Sequence, residues 1–173
     1  MDDVDDPGRV VYTSAGLCAV WQPEAFAHVV DLDTWEDHVA EDEALIRQIA
    51  AGAFVPINIG GDGAFQVVIR QTPLTERERR YLLVSSEPYL LISKGSVNLG
   101  GLENVGEYVG DGEELELPAG RYSVYVHLID WKLEPGSFAD GEPTASALPD
   151  FVVEVAPETD ADQVYRGQVR TFN

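Results

Sequence analysis

Hydrophobic and polar residues alternate most cleanly from Tyr122 to Ile129. There Tyr122, Val124, Val126 and Leu128 face one way, and Ser123, Tyr125, His127 and Ile129 the other. A period of two in aromatic and β-branched side chains predicts a strand. Pro118-Ala119-Gly120 before it reads as a turn, because proline presets φ and glycine tolerates a positive one. Gly63 to Arg70, GAFQVVIR, carries glycine, aromatic and valine at the same offsets. Shorter apolar runs predict strands at 9–13, 17–21, 55–59, 89–92, 97–99, 114–117 and 150–155. Three hairpins are expected, around Ser14-Ala15-Gly16, Gly60-Gly61-Asp62-Gly63 and Ser93-Lys94-Gly95. Pro56 has no N–H to give a ladder, which puts its strand at a sheet edge.

Helical spacing stands out once. Trp35, Val39, Ile46 and Ile49 share a side, Asp33 and Glu36 make a capping-box start, and Gly52 supplies a stop. One amphipathic helix over about 34–51, lying on a sheet, is expected. Thr75 and Glu78 form a second capping box, ahead of a stretch to Val84 that suits a short helix or a strand.

The pattern as a whole predicts a mainly β fold: two packed antiparallel sheets, as a sandwich or a partly open barrel, with the helix laid across. VVYTSAGLCAV at 10–20 and YLLISKGSVNL at 89–99 share an apolar strand, Ser-x-Gly and a second strand. Two degenerate β repeats, 9–84 and 85–156, with the helix inserted in the first, would account for this. So would the general likeness of hairpins, and superposing Phe65 on Tyr122 separates the two accounts. The expected organisation is an acidic N-terminal tail at 1–8, a single β-rich domain at 9–156, and a C-terminal tail or edge strand at 157–173.

Composition changes the picture through charge. Eleven basic residues against 31 acidic ones leave a formal net charge of −20 and a pI near 4.2. Such a surface repels phosphate backbones and anionic membranes, so no direct nucleic-acid binding and no membrane association are expected. Three accounts of the acidity remain open: adaptation to a salty or acid-rich proteome, attraction to a basic protein partner, and mimicry of nucleic acid. Cys18 is the single cysteine and sits in the apolar run LCAVW, which fits a buried side chain and a reducing compartment. No secretion signal or membrane span is visible, so a cytoplasmic location is expected.

Motifs for chemistry are sparse. His28, His38 and His127 form no metal-binding spacing, and no metal or cofactor is expected. The serines, Ser85-Ser86 among them, lie in turn-like phrases without a nucleophile-elbow motif, so no catalytic residue is assigned. Candidate binding residues cluster where the alternation fades into the proline-bearing loop 132–149. They are Trp131 and Phe138 as an aromatic pair, and Asp130, Tyr125 and His127 beside them. The expected function is a soluble, acidic, non-enzymatic binding protein of inhibitor or immunity type, recognising a basic partner. Two alternatives are a small-molecule barrel or enzyme built on a His127/Asp130 pocket, and a salt-adapted structural domain with no dedicated site.

Overall fold

The alternating run around Tyr122 is the second half of a much longer strand. The computed structural model describes residues 8–110 and 112–172, so most of the predicted acidic tail lies outside the described residues. Its elements in chain order are β1 (Arg9–Thr13), β2 (Leu17–Trp21), α1 (Leu32–Trp35), α2 (Asp42–Ala50), β3 (Phe54–Asn58) and β4 (Gly63–Arg70). They continue with α3 (Glu76–Arg80), β5 (Leu82–Ser85), β6 (Tyr89–Gly101), β7 (Glu113–Ile129), β8 (Phe138–Ala139), β9 (Glu142–Pro143) and β10 (Phe151–Pro157). The chain is mainly β, as its pattern predicts.

The hairpin assignments need correction. β1 and β2 do not pair with each other, nor do β3 and β4: β1 pairs with β4, and β2 with β3. The ladder runs on through the gap, where Ile59 and Gly60 both donate to the Gly16 carbonyl at 3.0 Å. Residues 9–21 and 54–70 are therefore one long antiparallel ribbon with a kink in each strand. β6 and β7 form a second such ribbon, whose register shifts between Ser93 and Gly95. Pro118-Ala119-Gly120 is thus a bulge inside β7, and Ser93-Lys94-Gly95 a bend inside β6.

The two kinks are built alike. Thr13 faces Gly63 in one ribbon and Ser93 faces Gly120 in the other, the glycines holding φ of 149° and 159°. Ala15 N–H donates to the Thr13 hydroxyl at 3.0 Å, and Gly95 N–H to the Ser93 hydroxyl at 3.1 Å. Phe65 then faces Val11, and Tyr122 faces Leu91.

β2 also pairs with β6, and β10 slots between β4 and β7, giving the order β1-β4-β10-β7-β6-β2-β3. Because β1 and β2 are halves of one strand, that order returns on itself and the sheet curls into a barrel. It replaces the expected pair of packed antiparallel sheets with one large mixed sheet, plus the small β8–β9 hairpin in the long loop. Five long strands form the ring, and an odd ring cannot alternate direction throughout. One neighbouring pair must be parallel, and it is β10 with β4. Inward residues of all five fill the core, among them Val11, Val67, Leu91, Val124 and Val153. β3 is an edge strand, as Pro56 predicts.

The single expected helix is broken. Asp31 caps α1 through a reciprocal pair with Thr34, a π-turn covers Glu36–Ala40, and Glu41 is extended before α2 begins. Asp42 interrupts the apolar stripe because it starts a new helix. Val39, Leu45 and Ile49 still bury against the sheet, and Gly52 ends α2 at φ 78°. The Thr75–Glu78 capping box opens α3, and 82–85 becomes β5. Among the described residues no helix is long and apolar enough to cross a membrane.

Candidate functional site

Alternation along β7 sends Val124 and Val126 into the barrel and Ser123, Tyr125 and His127 outward. Neighbouring strands deliver polar partners to the same outer face. β5 sets Ser85 opposite His127, and β10 sets Val152 opposite it, with Glu154 two residues on. The Ser85 hydroxyl lies 2.7 Å from His127 Nδ1, and Glu154 Oε1 lies 3.1 Å from Nε2. His127 is buried, Glu154 half-buried and Ser85 exposed. Tyr125 stacks on the imidazole, ring centroids 6.4 Å apart and planes 13° from parallel.

An ionised carboxylate only accepts, so Nε2 carries the proton and donates it to Glu154. In the neutral imidazole Nδ1 is then an acceptor, and Ser85 donates its hydroxyl proton to it. Further along the face Ser123 bonds the Tyr165 hydroxyl at 3.1 Å, Tyr165 donates to Glu158, and Arg121 binds Glu158 at 2.9 Å. Burial, and then the Glu158 carboxylate, raise the Tyr165 phenol above its ordinary pKa.

The other predicted residues stand apart from this row. Asp130 does not join His127; its backbone N–H donates to Tyr81 O and its carbonyl accepts from Leu133. Trp131 and Phe138 do meet, with ring centroids 5.0 Å apart. Trp131 is only 8% exposed, and its indole N–H donates to Asp150 at 2.8 Å. With Leu74, Ile129, Leu148 and Val152 it fills a second small core outside the barrel. A cleft of about 360 Å³ opens elsewhere, between α2 and the C-terminal segment, walled by Leu17, Val39, Leu45, Ile46 and Val169.

A second surface lies on the helical segment between β2 and β3. Glu24, Asp31, Asp33, Glu36, Asp37, Glu41, Asp42 and Glu43 are all exposed, and no lysine or arginine occurs between Arg9 and Arg47. None of these carboxylates forms an ion pair with a described residue. Beside them the loop at 105–109 closes onto Val29, Glu107 N–H donating to Val29 O at 2.7 Å. Only glycine fits at 106, where a Cβ would stand 2.6 Å from that of Val29 and φ is 93°. On the two segments that this contact joins, Val30, Leu32, Tyr108 and Val109 are each between 44% and 57% exposed. His28 and His38 also meet here, edge to face at 4.5 Å. No group of three or more metal-ligating side chains is found among the described residues.

No family model and no curated protein matches this chain. Among solved structures it is similar to one named crocagin biosynthetic gene J, at 17% sequence identity and a TM-score of 0.56. The alignment covers 87% of this chain and 96% of that one. A likeness at that identity is a likeness of fold.

Proposed function

We propose that the protein is a binding module of the cytoplasm whose acidic face docks a basic protein, as inhibitors and immunity proteins do. The observation that carries this reading is the acidic surface of residues 24–43, free of ion pairs with described residues and carrying the exposed apolar Val30 and Leu32 in the same segment. An apolar patch within a charged rim is the usual build of a protein-recognition surface. Opposite charge on the partner would speed encounter and select against acidic competitors. Cys18 is buried and its thiol is pushed up to about 12 by desolvation and then by Glu103, so it takes no part in docking.

The test uses basic nucleases as probes, with a neutral protein as control, in titration calorimetry at low and high salt. Association should fall at least tenfold as salt rises, and reversing Glu36, Asp37 and Glu43 to lysine should weaken it at least as much. Affinity indifferent to salt and to those reversals, or no association with any basic probe at low salt, would overturn the reading.

A further inference from the structure

We propose that Ser85 is an activated serine nucleophile, with His127 as its general base and Glu154 as the group that positions the imidazole. This is independent of the acidic face and stands or falls without it. Three neighbouring strands set the constellation by register, so it rests on the barrel wall rather than on a loop. The two contacts, 2.7 Å and 3.1 Å, lie within hydrogen-bond reach, and with Glu154 ionised and the imidazole neutral their polarity runs from serine to imidazole to carboxylate. Exposure is graded in the same sense: Ser85 is exposed, while the base behind it is buried and stacked on Tyr125. A serine exposed at a sheet edge needs no imidazole to satisfy its hydroxyl, since water would serve. That makes this pairing informative.

The reaction class is acyl transfer from an ester. Ser85 Oγ bonds to the acyl carbon as its proton passes to Nδ1 of His127. The bond from that carbon to the leaving oxygen breaks, and the departing alcohol takes the proton from Nδ1. Water then repeats both steps, releasing the carboxylic acid and restoring Ser85. Ser85 is exposed at the end of β5, open to solvent. An exposed nucleophile of this kind suits small, unhindered esters with good leaving groups, such as aryl esters. General-base assistance contributes about 10²–10⁴ in rate.

The experiment treats the full chain with a fluorophosphonate probe, locates the label by mass spectrometry, and follows hydrolysis of p-nitrophenyl acetate. Label is expected on Ser85 and on no other serine. Ser85→Ala should abolish both labelling and hydrolysis above background, and His127→Gln should cut hydrolysis by roughly a hundredfold or more. Glu154→Gln should lower kcat with KM unchanged, and Glu154→Asp should recover part of it, which a purely structural contact would not do. Ser85 is exposed, so Ser85→Ala remains decisive even if the buried His127 variant does not fold. An unlabelled Ser85, or hydrolysis equal in wild type and Ser85→Ala, would overturn the proposal.

Discussion

Glu78 is the most deeply buried carboxylate among the described residues, 2% exposed at the start of α3. Its Oε1 accepts from Arg70 and from Thr75 N–H, the latter at 2.9 Å. Burial pushes its pKa up, but the Arg70 hydrogen bond and the cap outweigh burial and hold the group below its ordinary 4.5. A carboxylate depressed in the folded state contributes stability that is fully present above its unfolded pKa. That contribution is lost as pH falls through the folded value. Glu78→Gln should therefore cost about 2–3 kcal/mol at neutral pH, because half-buried Arg70 loses its counter-charge. Its stability difference from wild type should shrink below about pH 4.5, measured by urea unfolding across pH; a constant difference would show that the charge is not what matters. Thr75 and Glu78 were legible in the sequence as a capping box because the interaction is local. Ser85, His127 and Glu154 were not legible as a group. They are far apart in the chain and are united by strand register, which no spacing rule reveals.

At the scale of elements, the twin kinks show where alternation stops being informative. A Ser-x-Gly phrase between two apolar runs suits a hairpin turn and a bend in a continuing strand equally well, since both need glycine at positive φ. What separates them is the partner ladder, and that is non-local. The hydroxyls do specific work at these bends: Ser93 donates to Leu117 O at 2.7 Å, and Thr13 to Leu17 O at 3.1 Å. Both residues are buried, so Ser93→Ala and Thr13→Val each leave a carbonyl and an amide short of a partner. Each should cost about 1–3 kcal/mol in urea unfolding. A loss within the experimental error would mean that the glycines alone set the bend. The break at Glu41 has the same lesson for helices. Trp35, Val39 and Ile49 fit one helical face, but the π-turn shifts the phase between them and Ile46 ends 40% exposed.

Across the whole molecule, the mainly β class, the edge position of β3 and the acidity were readable from composition and period. The closed ring was not, because closure depends on β2 and β1 being one strand and on β10 reaching β4. Thirty-one acids against 11 bases on this compact ring repel one another. Raising salt from about 0.1 to 1 M cuts the screening length from about 10 to 3 Å. The melting temperature should rise by at least about 2–4 °C, the equivalent of roughly 1 kcal/mol for a chain of this size. An unchanged midpoint in scanning calorimetry would show that the charges are spaced widely enough to add no strain.

The odd ring also orders events in time. β10 is the last long strand made, and it alone joins β4 to β7. Until residues 151–157 leave the ribosome, both of those strands present bare backbone, which invites pairing with other chains. The β4–β10 contact also joins Val67 to Phe151, a long-range parallel pairing of the slow kind. Barrel closure is thus set to be the late step of folding, and a nascent chain stalled before residue 151 its most aggregation-prone form.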